Sequence, residues 1–229
     1  MINLAFYFAI YRDETLALRL AQDVRRLYPA AEVVAIADGM VAPWLFPALH
    51  RLGVVTVQDT HLKRAGHGGA AAHRNLAVTL ENTTADLLVQ LDPDTILHRP
   101  FAAFPNDPWF GQIHVARCTW YPVVPMRCLH GACWGMRREV AELAVRSALL
   151  LAPTYCNRPI LWEYPLPRDG GRRLPRLDLI WGHVAHQLGY SPTPWPDVAG
   201  GLLAAPVGPW AATHPHPYST HSARPSLGD

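Results

Sequence analysis

Asp92 and Asp94 flank Pro93 directly after the apolar run Leu87–Leu91. That run has the length and character of a buried strand. Proline cannot donate to a sheet ladder, so the strand is expected to end at or just before Pro93. Two carboxylates leaving a rigid strand end together suit a hard divalent cation, and a cation there suits a diphosphate. The carboxyl ends of central strands are also where open α/β sheets place ligands. An Asp-x-Asp tripeptide alone is weak evidence; its place after a buried strand gives it weight.

Other residues carry chemistry of their own. Arg74 presents a guanidinium fork suited to phosphate or carboxylate, and equally reads as a surface helix arginine. Gly66, Gly68 and Gly69 let backbone approach a ligand, or simply make a flexible connection. His183 and His186, three apart on a short helix with Asp178 five residues earlier, suggest a second metal site, although buried, satisfied histidines are commoner. Trp120, Tyr121, Trp134, Trp162 and Trp181 are candidate sugar-stacking aromatics or core residues. Arg137 and Arg138 open a helix against its dipole, which Glu139 or Glu142 offsets, or a bound anion. Arg172 and Arg173 beside Gly170-Gly171 read as a solvated loop, or as one closing over a diphosphate.

The elements that position these residues alternate. Ile2–Ile10 reads as a strand, followed by a helix capped at Asp13 and running to Leu27, which Pro29 closes. Glu32–Ala37 is a strand ending at the turn pair Asp38-Gly39. Pro43–Leu52 is helical, Val54–Val57 a strand, His61–Gly69 a loop and Ala70–Leu80 a helix carrying Arg74 and Asn75. Leu87–Leu91 closes a β-α-β-α-β-α-β series, which argues a parallel, doubly wound sheet. Beyond it, Trp109–Arg117 reads as a strand, Arg137–Leu151 as a helix, and Asp178–Leu188 as a helix ended by Gly189. Residues 190–229 read as mostly irregular, with a poorly ordered end.

The 229 residues are half hydrophobic and carry a net charge of +2. One α/β domain is the simplest count. No run of like charge points to nucleic acid. Cys118, Cys128, Cys133 and Cys156 include no C-x-x-C pair and read as free thiols of a reducing compartment. The first residues show no basic n-region ahead of an apolar core, and no apolar stretch is long enough to span a membrane, so a cytoplasmic protein is expected.

Four features in order resemble a GT-A-fold glycosyltransferase, most similar to family-2-type enzymes. They are the first strand, Asp38 after the second, Arg74-Asn75 on the helix before the fourth, and Asp92-Pro93-Asp94 at its end. The stretch Gly68-Gly69-Ala70-Ala71-Ala72-His73-Arg74-Asn75 resembles the family's glycine-alanine-arginine-asparagine helix start, at the family's distance from Asp92. The resemblance covers about residues 2–190 and is strongest over 66–95. It implies an α/β fold of GT-A (Rossmann-like) type: a mostly parallel central sheet flanked by helices, with a loop-rich C-terminal part. Residues 1–97 would form the nucleotide-sugar half, 98–214 the acceptor half, and 215–229 a flexible tail.

The resemblance also implies roles. Asp38, otherwise a plain turn acid, would recognise the nucleotide base. Asp94 would bind Mn²⁺ or Mg²⁺, with Asp92 holding the ribose or a metal-bound water. A late histidine, His214, His216 or His221, would complete the metal site. Asp178, otherwise a helix cap, would take the proton of the acceptor hydroxyl in an inverting attack; the family's usual Glu-Asp pair is broken here by Leu177. Residues 129–137 resemble the small-residue strand and loop beneath the acceptor. The expected activity is hexosyl transfer from a nucleotide-diphosphate sugar to a hydroxyl acceptor. Three rivals stand: a nucleotidyltransferase, disfavoured because no glycine-rich loop follows the first strand at Ala9-Ile10-Tyr11-Arg12, a non-catalytic nucleotide-sugar- or carbohydrate-binding protein, and, more distantly, a metal hydrolase using His183 and His186.

Overall fold

The computed structural model describes residues 2–10, 14–59, 68–117, 125–152, 177–200 and 211–214; at several of these, Asp38, Asp178 and His214 among them, it describes the backbone alone. The strands are β1 (Leu4–Ile10), β2 (Glu32–Asp38), β3 (Val55–Asp59), β4 (Leu87–Leu91), β5 (Ile96–Leu97), β6 (Trp109–Arg117), β7 (Pro125–Arg137), β8 (Thr193–Pro194), β9 (Val198–Gly200) and β10 (Ala212–His214). The helices are α1 (Glu14–Leu27), α2 (Leu45–Arg51), α3 (Gly68–Asn82), α4 (Arg138–Arg146) and α5 (Leu177–Gln187), with one 3₁₀ turn at Leu149–Leu151.

Seven strands form a central sheet in the order β3-β2-β1-β4-β7-β6-β8. β3, β2, β1 and β4 are mutually parallel, while β7 runs antiparallel between β4 and β6. The expected mixed α/β architecture with a mostly parallel central sheet is therefore present. Side chains alternate across the strands, as the period of two requires. Ala5 and Tyr7 face one core with Val34, Ile36, Leu88, Trp134 and Met136, covered by α3, α4 and α5. Phe6, Phe8 and Ile10 face the other with Leu87, Val89 and Leu91, covered by α1 and α2. α1 is acidic in its first turn and basic in its last, complementing its dipole, and it buries Ala17, Leu20, Ala21 and Val24.

The first four strands match the sequence reading to within one or two residues, and β4 and β6 match it throughout. Later elements differ. The helix expected over 137–151 stops at Arg146, because Ala148 takes a left-handed backbone (φ 54°) and the chain re-enters a 3₁₀ turn. Arg137 belongs to the long strand β7 instead. In the stretch read as mostly irregular, the described residues after Tyr190 include three short strands. β9 and β10 join β5 in a second, three-stranded sheet of order β5-β10-β9, whose Leu97, Val198 and Ala212 extend the α1-side core. Asp13, Gly66, Cys118, Trp120, Tyr121, Cys156, Trp162, Arg168, Gly170, Gly171, Arg172, Arg173, His216, His221 and the expected tail lie outside the described residues.

Two positions test this packing. A methyl group added at Gly111 would lie 2.7 Å from both Leu129 Cδ2 and Trp134 Cβ, and Trp134 is fully buried with no room to retreat. Gly111→Ala is expected to cost about 1–3 kcal/mol, read as a lower urea midpoint at unchanged slope. Glu32 is the second. Burial raises its pKa, but hydrogen bonds from Thr83, from Thr84 N–H and Oγ1 and from Asn3 outweigh this, so the carboxyl titrates below its usual range. A depressed carboxyl contributes stability above its unfolded pKa of about 4.3 and loses it as pH falls through the folded value. Glu32→Gln is therefore expected to lower stability at pH 7, with the gap closing on acidification below about pH 4 in urea titrations at matched salt.

Candidate functional site

The parallel strands deliver their carboxyl ends to one rim. Asp38 ends β2, Asp59 ends β3, and Asp92 follows β4. Asp38 and Asp59 are direct register partners, and Gly39 N–H closes on Asp59 C=O at 3.2 Å. Gly39 has φ 93°, a left-handed turn for which glycine is suited. Asp38 lies two strands from β4, about 10 Å at sheet spacing. α3 leads down from its N-terminus into β4, so Gly68 and Gly69, its first residues, start at this rim.

Asp92 to Thr95 form a tight turn, with Thr95 N–H donating to Asp92 C=O at 2.9 Å. Pro93 occupies the second position, where its fixed φ favours such a turn. Arg19 Nη2 of α1 clamps the turn by donating to Thr95 C=O at 3.0 Å. Gln90, the one polar side chain of β4, donates from Nε2 to Asp92 Oδ1 at 3.1 Å. Asp92 and Asp94 are both partly buried. The two acids are thus held on a turn fixed from both sides, and Asp92 is further oriented by its own strand.

The second sheet brings the end of the described chain back to this turn. β10 pairs antiparallel with β5, Ala212 opposite Leu97 and Thr213 opposite Ile96. His98 N–H donating to Ala211 C=O, and His98 Nε2 against Thr213 Oγ1 at 2.8 Å, pin the pairing. One residue further, the backbone of His214 falls level with Thr95, next to Asp94. Directly opposed residues of such a pair lie about 4.5–5.5 Å apart at Cα. Among the described residues, no group of three His, Cys, Asp or Glu is placed to hold a metal ion.

Asp178 lies in the first turn of α5, one residue inside the helix rather than capping it. α5 runs on through Gly189 (φ 81°) into β8, which begins beside Phe110 near the amino end of β6. Its N-terminus therefore points toward the carboxyl rim. Trp181 packs on Trp134, ring centroids 5.1 Å apart. Trp134 is the register partner of Gln90, two residues below Asp92, and Asp178 is about one helical turn above Trp181. Asp178 and Asp92 thus both rise from the same level toward the same rim.

Arg74 and Asp59 meet. Arg74 Nε donates to Asp59 Oδ2 at 2.6 Å; the arginine side chain is 49% exposed and the aspartate 3%. Asp59 carried no signal in the sequence, where the strand reads only to Val57, since nothing in local spacing pairs a residue with one fifteen positions on. β3 stands three strands from β4, about 14 Å, so Arg74 is held at the Asp38 end of the rim, away from Asp94.

At several positions the plainer of the two readings holds. Trp134 and Trp181 are core residues packed with Tyr7 and Trp109, not sugar platforms. His183 is buried while His186 is exposed, so they do not share a site. Arg138 donates to Glu142 Oε1, the offset read from the sequence, and to the carbonyls of Thr83 and Leu80, tying α4 to the end of α3. Arg137 Nη2 donates to Pro105 C=O at 2.9 Å.

No protein-family model matches this chain, and no curated protein matches it either. No helix among the described residues is long and apolar enough to cross a membrane.

Cys133, opposite Leu91 in the ladder, reports on the floor of the rim. Burial pushes its thiol pKa far up, with Asp92 adding to the rise. A thiol kept protonated and covered is unreactive. Iodoacetamide is expected to spare Cys133 in the native protein and to label it once urea unfolds the chain, as mapped by peptide mass spectrometry.

Proposed function

We propose that this chain is a GT-A-like glycosyltransferase that moves a sugar from a nucleotide-diphosphate sugar to a hydroxyl acceptor with inversion, using Mn²⁺ or Mg²⁺. The observation that carries the reading is the return of His214, through the β5–β10 register, to the locked turn bearing Asp92 and Asp94. Two carboxylates and an imidazole are a fitting donor set for Mn²⁺. Asp94 and His214 would hold the cation and Asp92 would support it. Once bound, it would stabilise the charge that builds on the departing diphosphate.

The chain's own residues do the remaining work. Asp38 accepts a hydrogen bond from the base. Gly68 and Gly69 start α3, whose unsatisfied N–H groups and dipole favour an anion at the rim. Asp178 takes the proton from the acceptor hydroxyl as its oxygen attacks the anomeric carbon. The bond from that carbon to the diphosphate oxygen breaks, the diphosphate leaves with the electron pair, and the opposite-face attack inverts the centre. A nucleotidyltransferase would instead release pyrophosphate from a nucleoside triphosphate and a sugar phosphate.

Calorimetry tests the cation site. UDP, GDP, CDP and ADP are titrated into wild type and Asp94→Ala, with and without MnCl₂. One nucleotide is expected to bind wild type in a Mn²⁺-dependent manner, and Asp94→Ala to lose at least about 10-fold of that dependence. Equal metal-dependent binding in both proteins would sink the assignment. The binding nucleotide at 100 times its Kd should add about 2.7 kcal/mol of stability, a shift of several degrees in Tm.

A further inference from the structure

Asp59 and Arg74 form an ion pair with an unusual division of labour. The acid is buried and the base is half-exposed. A carboxylate removed from water is costly unless paired and hydrogen-bonded, so Asp59 is anchored to its partner. Arg74 is engaged through Nε alone among the described residues. A pair built only for cohesion would use the two-point fork, which gives the strongest geometry. Among the described residues no acceptor meets Nη1 or Nη2, which leaves those donors for a ligand. Asp59 ends the outermost parallel strand opposite Asp38, and Arg74 sits in the second turn of α3. The contact therefore fixes an otherwise swinging side chain beside Asp38.

We propose that Asp59 is a positioning residue. It holds the Arg74 guanidinium by Nε so that the Nη1 and Nη2 donors meet the nucleoside-bearing part of the donor, independently of the cation at Asp94. This rests on the donor-site reading above and adds to it a residue with no direct ligand contact. Fixing the guanidinium in advance removes the rotamer entropy that binding would otherwise cost.

The test is a double-mutant cycle on binding. UDP, GDP, CDP and ADP with MnCl₂, and the matching monophosphates without it, are titrated into wild type, Asp59→Ala, Asp59→Asn, Arg74→Ala and Asp59→Ala/Arg74→Ala. Asp59→Ala is expected to raise the Kd of the bound monophosphate about 10-fold, close to the effect of Arg74→Ala. The double variant should bind no worse than Arg74→Ala alone, because the two side chains act as one. Asp59→Asn, which keeps the buried volume and an acceptor for Nε, should fall between wild type and Asp59→Ala. A purely structural Asp59 would lower Tm while leaving Kd at the wild-type value, and that result overturns the proposal, as do losses that multiply in the double variant. If wild type binds none of the nucleotides, the donor-site reading falls and this one falls with it. If wild type binds and Asp59→Ala binds equally, only the positioning role falls.

Discussion

Strand β4 is buried on both faces and hydrogen-bonded on both edges, with β1 on one side and β7 on the other. No ionised side chain can sit within such a strand without a large desolvation cost. Leu87, Leu88, Val89 and Leu91 meet the requirement, and Gln90 meets it by donating toward the rim. Where the apolar residues end, the carboxylates begin, and Pro93 makes the change abrupt. The turn that results sends the chain into β5, across the α1 face, where it offers an edge to β10. The position of His214 therefore follows from the desolvation limit on β4 combined with the geometry of one proline turn.

The rim so formed has two ends. Asp38, Asp59 and Arg74 gather over β2 and β3; Asp92, Asp94 and the backbone of His214 gather over β4 and β5. About 10–14 Å of sheet separates them, too far for one phosphate to touch both and suited to an extended nucleotide. The charge balance also constrains the proposed ligand. Asp59 and Arg74 offset one another, while Asp38, Asp92 and Asp94 bring further negative formal charge to the rim. A diphosphate placed against two carboxylates is repelled unless a cation stands between them. The proposed metal is thus an electrostatic requirement of a diphosphate ligand at this turn.

The part of the fold made from long periodic elements was legible. β1, β2, β4 and the helices packed on them bury whole faces, and their apolar residues show in the sequence. β5, β8, β9 and β10 are two or three residues long and have no period to read; they exist because partner edges are available in space. The overrun at 146–151 has the same origin, since the apolar residues continue while the backbone turns at Ala148. At the site, Asp92 and Asp94 were visible because a strand signal and a residue type coincide there. Asp59 was not, because the residue that gives it meaning lies on another element. Trp134 and Trp181 show the converse: their type suggested a surface that their burial removes.

The Trp cluster nevertheless serves the rim from below. Trp134 stands level with Gln90 on the neighbouring strand, and Trp181 of α5 packs against it and against Trp109. α5 is only eleven residues long, marginal for a helix standing alone, so its placement depends on this aromatic contact. The same strand pair that orients Asp92 through Gln90 therefore sets the height and direction of the helix carrying Asp178. Under the proposed activity, an acid that would meet an acceptor hydroxyl and an acid pair that would meet a diphosphate require a common reference if their separation is to hold. Here that reference is the β4–β7 ladder, with Gln90 reaching upward on one strand and Trp134 outward on the other.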